Sequence, residues 1–554
     1  MVIKRRIVPV SYGVAGWLLS AGSLMAQIVP DQTLPVNSQV TTLGTSTTIS
    51  GGTERGVNLY HSFREFSLPT GGAAIFDNGL QIQTILTRVT GSSVSSIDGL
   101  LKANGSANLY LLNPKGILFG PNARLEIGGS FFATTANSFK FSDGSEFSAT
   151  NPQAPPLLTV NLTPGLQTGA IAPGSTIINQ GNLIAAQDLT LQADRLDLQG
   201  LLAAGRDVTL KAQDTVQIRD TATTPFVASA GRDLTVQGNE SVDIFALNQP
   251  SSGLWSGGNM VLRSQQGAIG DAHFYAAGNF QVEQLDGSPG SLLSPNDPII
   301  LTNGDVVLGN YTGASLHILA GGNVTLGNVT ISGSGTAATT INPGNTTLFN
   351  GSRSYADLAT FNLTDYRASF NADGSVRSID PVAVPITING STQATLDVRA
   401  GVDWAALGGL PINPTVVGAV TPTPTYATAT SSRADINVNG DVRINQPAGL
   451  VLLTNQFRPN TLPGTISIRG NIDTSTGASG ANGGDLRVYG RGDITVGSDI
   501  NTGIRRNLFS YSVNGGTGGA ISFASNSGNI KLTNSNSNSN SFLLEIDPVQ
   551  WTSE

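Results

Sequence analysis

The chain has 554 residues, of which only 12% are charged, and its formal net charge is −8. It contains 67 glycines and no cysteine, which excludes disulfides, thiol chemistry and cysteine-ligated metals. Glycine, Asn, Ser and Thr favour turns over helix interiors, while 39% hydrophobic residues are enough for a core. The composition predicts many short strands joined by tight corners. With an acidic balance and no basic stripe, we expect no binding to nucleic acid.

The first 26 residues have the three-part pattern of a secretory signal peptide. Basic residues at 4–6 precede an apolar stretch around 14–19, and small residues end at Ala26. The alternative is an uncleaved membrane anchor. Pro9 and two serines weaken that alternative, because a spanning helix needs about 20 predominantly apolar residues.

Short apolar runs between residues 108 and 135 are separated by three corners. The first corner is Asn-Pro-Lys-Gly at 113–116, which suits a type I turn because Pro stands second and Gly fourth. The later corners are Gly-Pro-Asn-Ala and Gly-Gly. We expect strands before and after each corner, with Leu125 and Ile127 facing inward by strand alternation.

From about residue 177 one phrase recurs: a glycine or polar corner, then Asp or Asn, then alternating apolar residues. Its Asp or Asn positions are separated by 19, 26, 26, 20, 26 and 18 residues, a spacing typical of stacked units. Stacked coils bury apolar sides that one coil leaves exposed. We therefore predict an all-β parallel β-helix, in which the longer coils carry a corner loop of roughly six extra residues. The recurrent Asp or Asn is expected to bond a nearby backbone group or to form a ladder; its positions are 188, 207, 233, 259, 279, 305 and 323.

The repeat phrase divides the chain after the N-terminal segment. We predict β-helix repeats over 161–340 and again over 434–532. Residues 341–433 lack the rhythm and are interpreted as an excursion from the helix, ending in a Pro/Thr-rich loop. Residues 533–554 are interpreted as a low-complexity tail.

Residues 30–160 resemble the N-terminal secretion domain of the filamentous haemagglutinin family, the exported members of two-partner secretion systems. The similar stretches are LPVNSQV (34–40), GVNLYHSFREFSLPTGGAAIFDN (56–78) and RVTGSSVSSIDGLLKANGSANLYLLNPKGILFGPNARLEIGGSFFATTA (88–136). The family signature Asn-Pro-Asn-Gly-Ile corresponds to residues 113–117, with Lys in third place. A second family motif, Asn-Pro-Asn-Leu, is absent; Phe76-Asp77-Asn78-Gly79 stands near its place.

The resemblance implies a right-handed β-helix whose first coils are recognised in the periplasm by an outer-membrane transporter, a β-barrel with small periplasmic recognition domains. β-Augmentation of an unfolded exported chain is a mechanism consistent with this. The expected recognition residues are Asn113, Pro114, Lys115, Gly116 and Ile117.

The implied function is a secreted adhesin or surface-matrix protein, monomeric and without enzymatic activity or cofactor. It would pass through the periplasm, be released or kept at the outer-membrane surface, and meet glycans or cell surfaces. Two alternatives stay open: the stalk remnant of a contact-dependent toxin or haemolysin, and a β-helical polysaccharide-degrading enzyme.

The histidines do not form a predicted metal site. His61, His273 and His317 fall on separate coils, and we expect His61 to pack at a coil surface. No metal or cofactor is therefore predicted.

Two other motifs have ordinary structural interpretations. The tripeptide Arg-Gly-Asp at 491–493 is interpreted as a coil corner, because Asp493 occupies the repeat position of Asp207 and Asp485. Glycoside hydrolysis needs two carboxyl groups about 5 to 9.5 Å apart. Asp194 and Asp197 are as readily explained as a solvated pair.

Overall fold

A computed structural model describes residues 27–152, 167–335 except 297, 360–410 except 374, 406 and 408, 431–457, 462–474, 482–497, 508–509, 521–532 and 542–544. All regular secondary structure in these ranges is β-strand, and they contain no helix long and apolar enough to cross a membrane. The predicted signal peptide and the Pro/Thr-rich residues 411–430 lie outside the described residues.

The chain winds through three long sheets, called A, C and B in the order in which each coil visits them. One coil contains Leu189–Ala193 in sheet A, Arg195–Leu198 in sheet C and Leu201–Ala204 in sheet B. The next coil returns to sheet A at Val208–Ala212 and pairs in parallel, with Leu189 opposite Val208. Stacking of coils in parallel confirms the predicted β-helix.

The strands of the three sheets are as follows. Sheet A contains Ile28–Pro30, Thr53–Arg55, Asn58–Phe66, Thr84–Val89, Asn108–Leu112, Phe131–Thr134, Leu189–Ala193, Val208–Ala212, Leu234–Gly238, Met260–Arg263, Phe280–Glu283, Val306–Val307, Val324–Leu326, Ile436–Val438, Ile466–Ile468, Ile494–Val496 and Ile530–Leu532. Sheet C contains Ser95–Ile97, Ile117–Phe119, Thr176–Asn179, Arg195–Leu198, Thr215–Arg219, Ser241–Phe245, Ala268–Asp271, Leu292–Ser294, Tyr311–Gly313, Val329–Ile331, Val442–Ile444, Ile472–Asp473 and Leu508–Phe509. Sheet B contains Ser38–Leu43, Ser46–Gly51, Ala73–Phe76, Leu100–Ala103, Arg124–Glu126, Asn182–Ala185, Leu201–Ala204, Val227–Ala230, Gly253–Ser256, His273–Ala276, Ile299–Thr302, Leu316–Ala320, Thr395–Arg399, Leu450–Thr454, Asp485–Gly490, Ile521–Ser525 and Phe542–Leu544.

Strand alternation builds one continuous apolar interior. Val208 and Leu210 are fully buried in it, whereas Thr209 between them faces outward and is half-buried. Equivalent side chains stack from coil to coil, as Leu210 does below Val236 and Val236 below Leu262. Full burial of a Val or Leu side chain stabilises a protein by about 1.5–3 kcal/mol, so this interior dominates the stability of the fold.

The extra residues of the longer coils lie at corners, as predicted. In two successive coils the loop stands between sheets C and B, at residues 220–226 and 246–252. In a later coil it stands between sheets A and C, at 284–291. Asp220 links the first two loops, because its carboxylate accepts hydrogen bonds from the Gln249 backbone amide at 2.9 Å and the Ser252 hydroxyl at 2.8 Å.

The phrases near the C-terminus are distributed over different sheets, which the sequence did not resolve. Ile466–Ile468 and Ile494–Val496 belong to sheet A, whereas Val442–Ile444 belongs to sheet C. Asp485–Gly490 and Ile521–Ser525 belong to sheet B, so Asp485 does not occupy the position of Asp207. All three sheets use the same alternation, and the phrase alone therefore cannot identify its sheet. Within the tail segment 533–554, the short strand Phe542–Leu544 pairs in parallel with Ile521–Phe523.

The segment 341–433 is only partly an excursion. Thr360–Phe370 and Val376–Thr387 form an antiparallel ribbon outside the three sheets. Thr395–Arg399, in contrast, is a strand of sheet B between Leu316–Ala320 and Leu450–Thr454. All five of its side chains are buried, so it belongs to the β-helix and corrects the predicted extent of the excursion.

The N-terminal coils carry additional antiparallel strands, one paired into sheet A and three in a separate small sheet. Ile28–Pro30 pairs antiparallel with Asn58–Phe66. A small antiparallel sheet of Ser138–Lys140, Glu146–Ser148 and Gln167–Thr168 lies outside the coils. Its aromatic side chains form an external apolar cluster with sheet A, whose buried members are Leu34, Tyr60, Leu86, Leu112, Phe139, Phe141, Phe147 and Ala149.

Candidate functional site

The Asn-Pro-Lys-Gly corner is a β-turn fixed to the preceding coil. The Gly116 amide donates to the Asn113 carbonyl at 3.1 Å, and the Lys115 amide donates to Asn113 Oδ1 at 2.9 Å. Asn113 Nδ2 in turn donates to the carbonyl of Ser93 at 3.1 Å and to Ser95 Oγ at 2.9 Å. Asn113 is completely buried, so its side chain organises the turn rather than facing solvent.

Gly116 is required by its backbone geometry. Its φ of 117° is a conformation that residues with a Cβ rarely adopt. A Cβ there would also lie 3.1 Å from the carbonyl oxygen of Thr176 on the next coil.

The five predicted recognition residues differ sharply in exposure. Ile117 is 1% exposed and lies in sheet C between Ser95 and Ile177. Pro114 is half-buried, and Lys115 is exposed. In the folded chain Lys115 is therefore accessible to solvent, while the buried residues Asn113, Gly116 and Ile117 determine the shape of the corner.

A second asparagine supports the corner between Ala73–Phe76 and the following sheet A strand. Asn78 is 5% exposed, and its Oδ1 accepts a hydrogen bond from the Asn104 amide at 2.9 Å. Its Nδ2 donates to the Asn104 carbonyl at 3.1 Å. Asn78 thus links two coils, much as Asn113 does, although the second family motif is absent.

Sequence reasoning missed a buried polar network beside these corners. The guanidinium of Arg88 donates to Ser62 Oγ and to Thr33 Oγ1, both at 2.9 Å, and to the Ser148 carbonyl at 2.9 Å. It also lies 4.2 Å from the ring centroid of Phe147. Arg88 therefore joins the N-terminal segment, the first coil and the external sheet. The available signal was an arginine inside the otherwise uncharged strand Thr84–Val89, all of whose residues are buried.

Asp31 supplies the negative charge of this network. Its carboxylate accepts hydrogen bonds from Ser62 Oγ at 2.6 Å, Thr90 Oγ1 at 2.7 Å and Thr33 Oγ1 at 2.8 Å. Burial acts to raise the pKa of Asp31, but these hydrogen bonds outweigh it and hold the pKa below its ordinary value. Burial lowers the pKa of Arg88 to about 10, and the charge of Asp31 opposes this shift. Arg88 therefore stays charged at neutral pH.

The recurrent Asp and Asn residues form the ladder that was one of two predicted roles. Each side-chain oxygen accepts a hydrogen bond from the backbone amide of the equivalent residue on the next coil. The amide of Asp233 donates to Asp207 Oδ1 at 3.1 Å, and that of Asn259 donates to Asp233 Oδ1 at 2.8 Å. The same contact continues through the acceptors Asn259, Asn279, Asp305, Asn323 and Asp435.

The Arg-Gly-Asp tripeptide is a corner of this ladder. Asp493 Oδ1 accepts a hydrogen bond from the Asn529 amide at 2.7 Å, and Ile494–Val496 follows directly as a sheet A strand. The Arg491 amide donates to Asn455 Oδ1 at 2.7 Å. The structural interpretation of the tripeptide is confirmed.

The histidines lie apart, and the expected surface position of His61 is wrong. His61 is fully buried between Phe63 and Phe76, because it shares the inward side of its strand with Leu59 and Phe63. Burial lowers the pKa of His61 to about 3, so the ring is neutral. The described ranges contain no group of three or more His, Asp or Glu side chains arranged for a metal ion.

Asp194 and Asp197 have separate structural positions. Asp194 Oδ2 accepts a hydrogen bond from the Gly174 amide at 2.6 Å at a corner. Asp197 lies within a sheet C strand, opposite Ile178 and Gln217. Neither residue is fully exposed.

The fold and the covered first coils define a β-helical protein with a specialised N-terminal region. Residues 26–282 match the family model described as TPS secretion domain, where TPS denotes two-partner secretion. These residues therefore contain a secretion domain of this family, and the resemblance to the filamentous haemagglutinin family is confirmed.

Individual relatives are more distant. The chain is 26% identical over 174 residues to the heme/hemopexin-binding protein of Haemophilus influenzae, a match that covers 30% of this chain and 17% of that protein. The HMW1 secretion domain from Haemophilus influenzae is 11% identical with a TM-score of 0.29, and the match covers 91% of this chain and 100% of that one. A filamentous hemagglutinin secretion domain is 17% identical with a TM-score of 0.24, with coverage of 56% and 93%.

Proposed function

We propose that this protein is an exoprotein that leaves the cell through an outer-membrane β-barrel transporter, which recognises its first coils. The observation that carries the proposal is the match of residues 26–282 to a secretion domain. The turn at residues 113–117 supplies the recognition element within it.

The burial of the turn favours recognition before folding is complete. Asn113 and Ile117 are inaccessible once the coils have stacked, whereas an unfolded segment presents both residues and its backbone. A sheet edge of the partner can capture such a segment by β-augmentation. Lys115 remains exposed after folding, so it is the residue that a folded-state contact would use.

For the exported rod we propose display and adhesion rather than catalysis. The outward face of sheet A presents a stacked polar row that includes half-buried Thr190, Thr209 and Thr235. Such a row suits contacts with glycans or with other polar cell surfaces. Asp194 and Asp197 are held by corner and strand contacts, which favours a non-enzymatic role. The exported protein is either released or retained at the outer-membrane surface, and it acts as a monomer.

Export is tested by expressing the full chain with and without its candidate transporter and measuring the protein in the medium. We expect release in the presence of the transporter and periplasmic retention in its absence. Equal amounts in both media would contradict the proposal. Adhesion is tested separately, by measuring the binding of the released protein to whole cells before and after enzymatic removal of surface glycans. Binding that is absent from both samples would contradict the adhesin role.

A further inference from the structure

Sheet B has a second apolar core on its outer side, separate from the interior of the β-helix. Ile300 and Ile318 point into the β-helix, whereas their neighbours Leu301 and Leu319 point outward. Leu301 and Leu319 are nevertheless fully buried. Other residues of the chain therefore cover the outer face of sheet B along these coils.

The cover is formed by residues that leave the β-helix and return to it. The ribbon of Thr360–Phe370 and Val376–Thr387 packs its base onto sheet B through the buried side chains of Phe361, Leu363 and Ile386, and Ile388 directly after the ribbon is buried with them. Trp404, which follows the next sheet B strand, is also fully buried, and its Nε1 donates to the Thr302 carbonyl at 2.6 Å. We call the ribbon and Trp404 together the strap.

A buried ion pair fixes the strap at its centre. Arg399 donates two hydrogen bonds of 2.8 Å to the Asp397 carboxylate, and both residues are completely buried on the outer side of sheet B. The Arg399 guanidinium lies 4.3 Å from the ring centroid of Phe361 and 4.9 Å from that of Phe457. These rings meet edge to face, with centroids 5.0 Å apart. The cation therefore holds an aromatic side chain of the ribbon against one from a later coil.

His317 faces the same carboxylate, with Nδ1 3.3 Å from Asp397 Oδ2. The chain returning from the ribbon passes so close that a Cβ at Gly390 would lie 2.5 Å from His317 Nε2. Burial acts to raise the pKa of Asp397, but Arg399 and His317 together hold it below its ordinary value. The Arg399–Asp397 ion pair and His317 thus form a compact buried polar group beneath the strap.

The order of the strap contacts along the chain is unusual. The ribbon contacts a coil that comes after it in the sequence. The Thr364 amide donates to Gln456 Oε1, 92 residues later, at 3.2 Å, so the ribbon is synthesised before this part of its docking surface. Gln456 itself donates to the Gly490 carbonyl at 2.8 Å, one coil further on. The docking surface of the ribbon is therefore complete only after residues 450–490 have stacked, and its contacts extend to the next sheet B strand, Ile521–Ser525.

We propose that the strap docks onto sheet B after the coils beneath it have folded, and that Arg399 holds it in the docked position. Until then the ribbon base and the outer face of sheet B expose apolar surface. Closure buries both and joins coils on either side of the inserted segment. This inference concerns the folding of the rod and does not depend on the transporter.

The order of closure is tested by refolding the full chain from urea and adding brief trypsin pulses. Both reporter arginines keep exposed side chains in the folded chain, so their protection comes from the ordering of the strand in which each lies. Cleavage after Arg377 reports an open ribbon, because Arg377 lies in its second strand. Cleavage after Arg443 reports an unstacked coil, because Arg443 lies in a sheet C strand paired with the preceding coil. We expect protection at Arg443 to precede protection at Arg377. Simultaneous protection, or earlier protection at Arg377, would overturn the proposal.

The role of Arg399 is tested in the native state with Arg399→Met. We expect cleavage after Arg377 to accelerate at least tenfold while cleavage after Arg443 stays unchanged. Arg263→Met is the matched control, because it removes a half-buried arginine paired with Glu283 on sheet A and should alter neither rate. Equal acceleration at both sites in Arg399→Met would show that the strap is not a separate closing element. The wild-type refolding experiment decides the order even where a variant folds poorly.

Discussion

Asn113 and Lys115 lie two residues apart in one turn, yet they contribute in different ways. Asn113 is buried and bonded to the preceding coil, whereas Lys115 projects into solvent. We expect Asn113→Ala to lower the free energy of unfolding by about 1–3 kcal/mol, because it leaves buried polar partners without their hydrogen bonds. Lys115→Asn, which restores the family signature, should change it by less than about 0.5 kcal/mol. Urea unfolding measures both values.

The same two variants, together with Gly116→Ala, test the role of the turn in export. Asn113→Ala and Gly116→Ala should accumulate in the periplasm, because both disturb the turn, while Lys115→Asn should be released normally. Unimpeded release of the first two variants would show that the turn has only a structural role.

The hydrogen-bonded carboxylate of Asp31 predicts an acid-sensitive N-terminal region. Because the pKa of Asp31 is lower in the folded chain than in the unfolded chain, its contribution is present above the unfolded pKa of about 3.9 and is lost as the pH falls through the folded pKa. Asp31→Asn should therefore unfold at lower urea than wild type at pH 7, and the difference should shrink below about pH 4. Glu126→Gln, at an exposed carboxylate, is the control. A difference that does not change with pH would contradict this role.

Alternation in the sequence was sufficient to place Val208 and Leu210 inside, and Leu125 packs on the core as expected. It did not reveal that His61 points inward, because a single histidine carries no signal for the inward or outward side. The bonds of Arg88 were equally hidden. They join segments up to 60 residues apart, which no local pattern encodes.

At the scale of the element, the corner ladder should stabilise each coil junction modestly. Asn279 Oδ1 accepts the Asp305 amide at 2.8 Å, and a typical hydrogen bond contributes about 0.5–1.5 kcal/mol. We expect Asn279→Ala to lower the free energy of unfolding by about 1 kcal/mol and Asn279→Asp to lower it less, since a carboxylate keeps the acceptor. Gln281→Ala, on the outward side of the same sheet A strand, is the control. Equal effects of the two alanine variants would argue against the ladder.

The strands themselves were largely predictable, because short runs of alternating apolar residues between glycine corners are too short for helices and fit the two-residue period of a strand. Their assignment to sheets was not. Asp485–Gly490 repeats the phrase of sheet A but lies in sheet B, and Thr395–Arg399 lies in the β-helix although the segment around it lacks the repeat rhythm. Sheet membership depends on the loop lengths between corners, which vary along this chain.

At the scale of the whole molecule, export and folding should be coupled through the stacked interior. Leu262 is fully buried between Val236 and Val282 of the neighbouring coils. Leu262→Ala should lower the free energy of unfolding by about 2–5 kcal/mol. If stacking outside the cell biases movement outward, this variant should also appear in the medium more slowly than wild type. Release at the wild-type rate, despite the loss of stability, would contradict such coupling.

The most direct measurement of the central claim is a transfer experiment with residues 1–282, which contain the predicted signal peptide and the whole secretion-domain match. This segment is fused ahead of a protein that normally stays in the periplasm, and the fusion is expressed with the candidate transporter. The account predicts that the fusion appears in the medium only when the transporter is present. Retention in the periplasm under both conditions, while the complete chain is released, would contradict the assignment of the export signal to these coils.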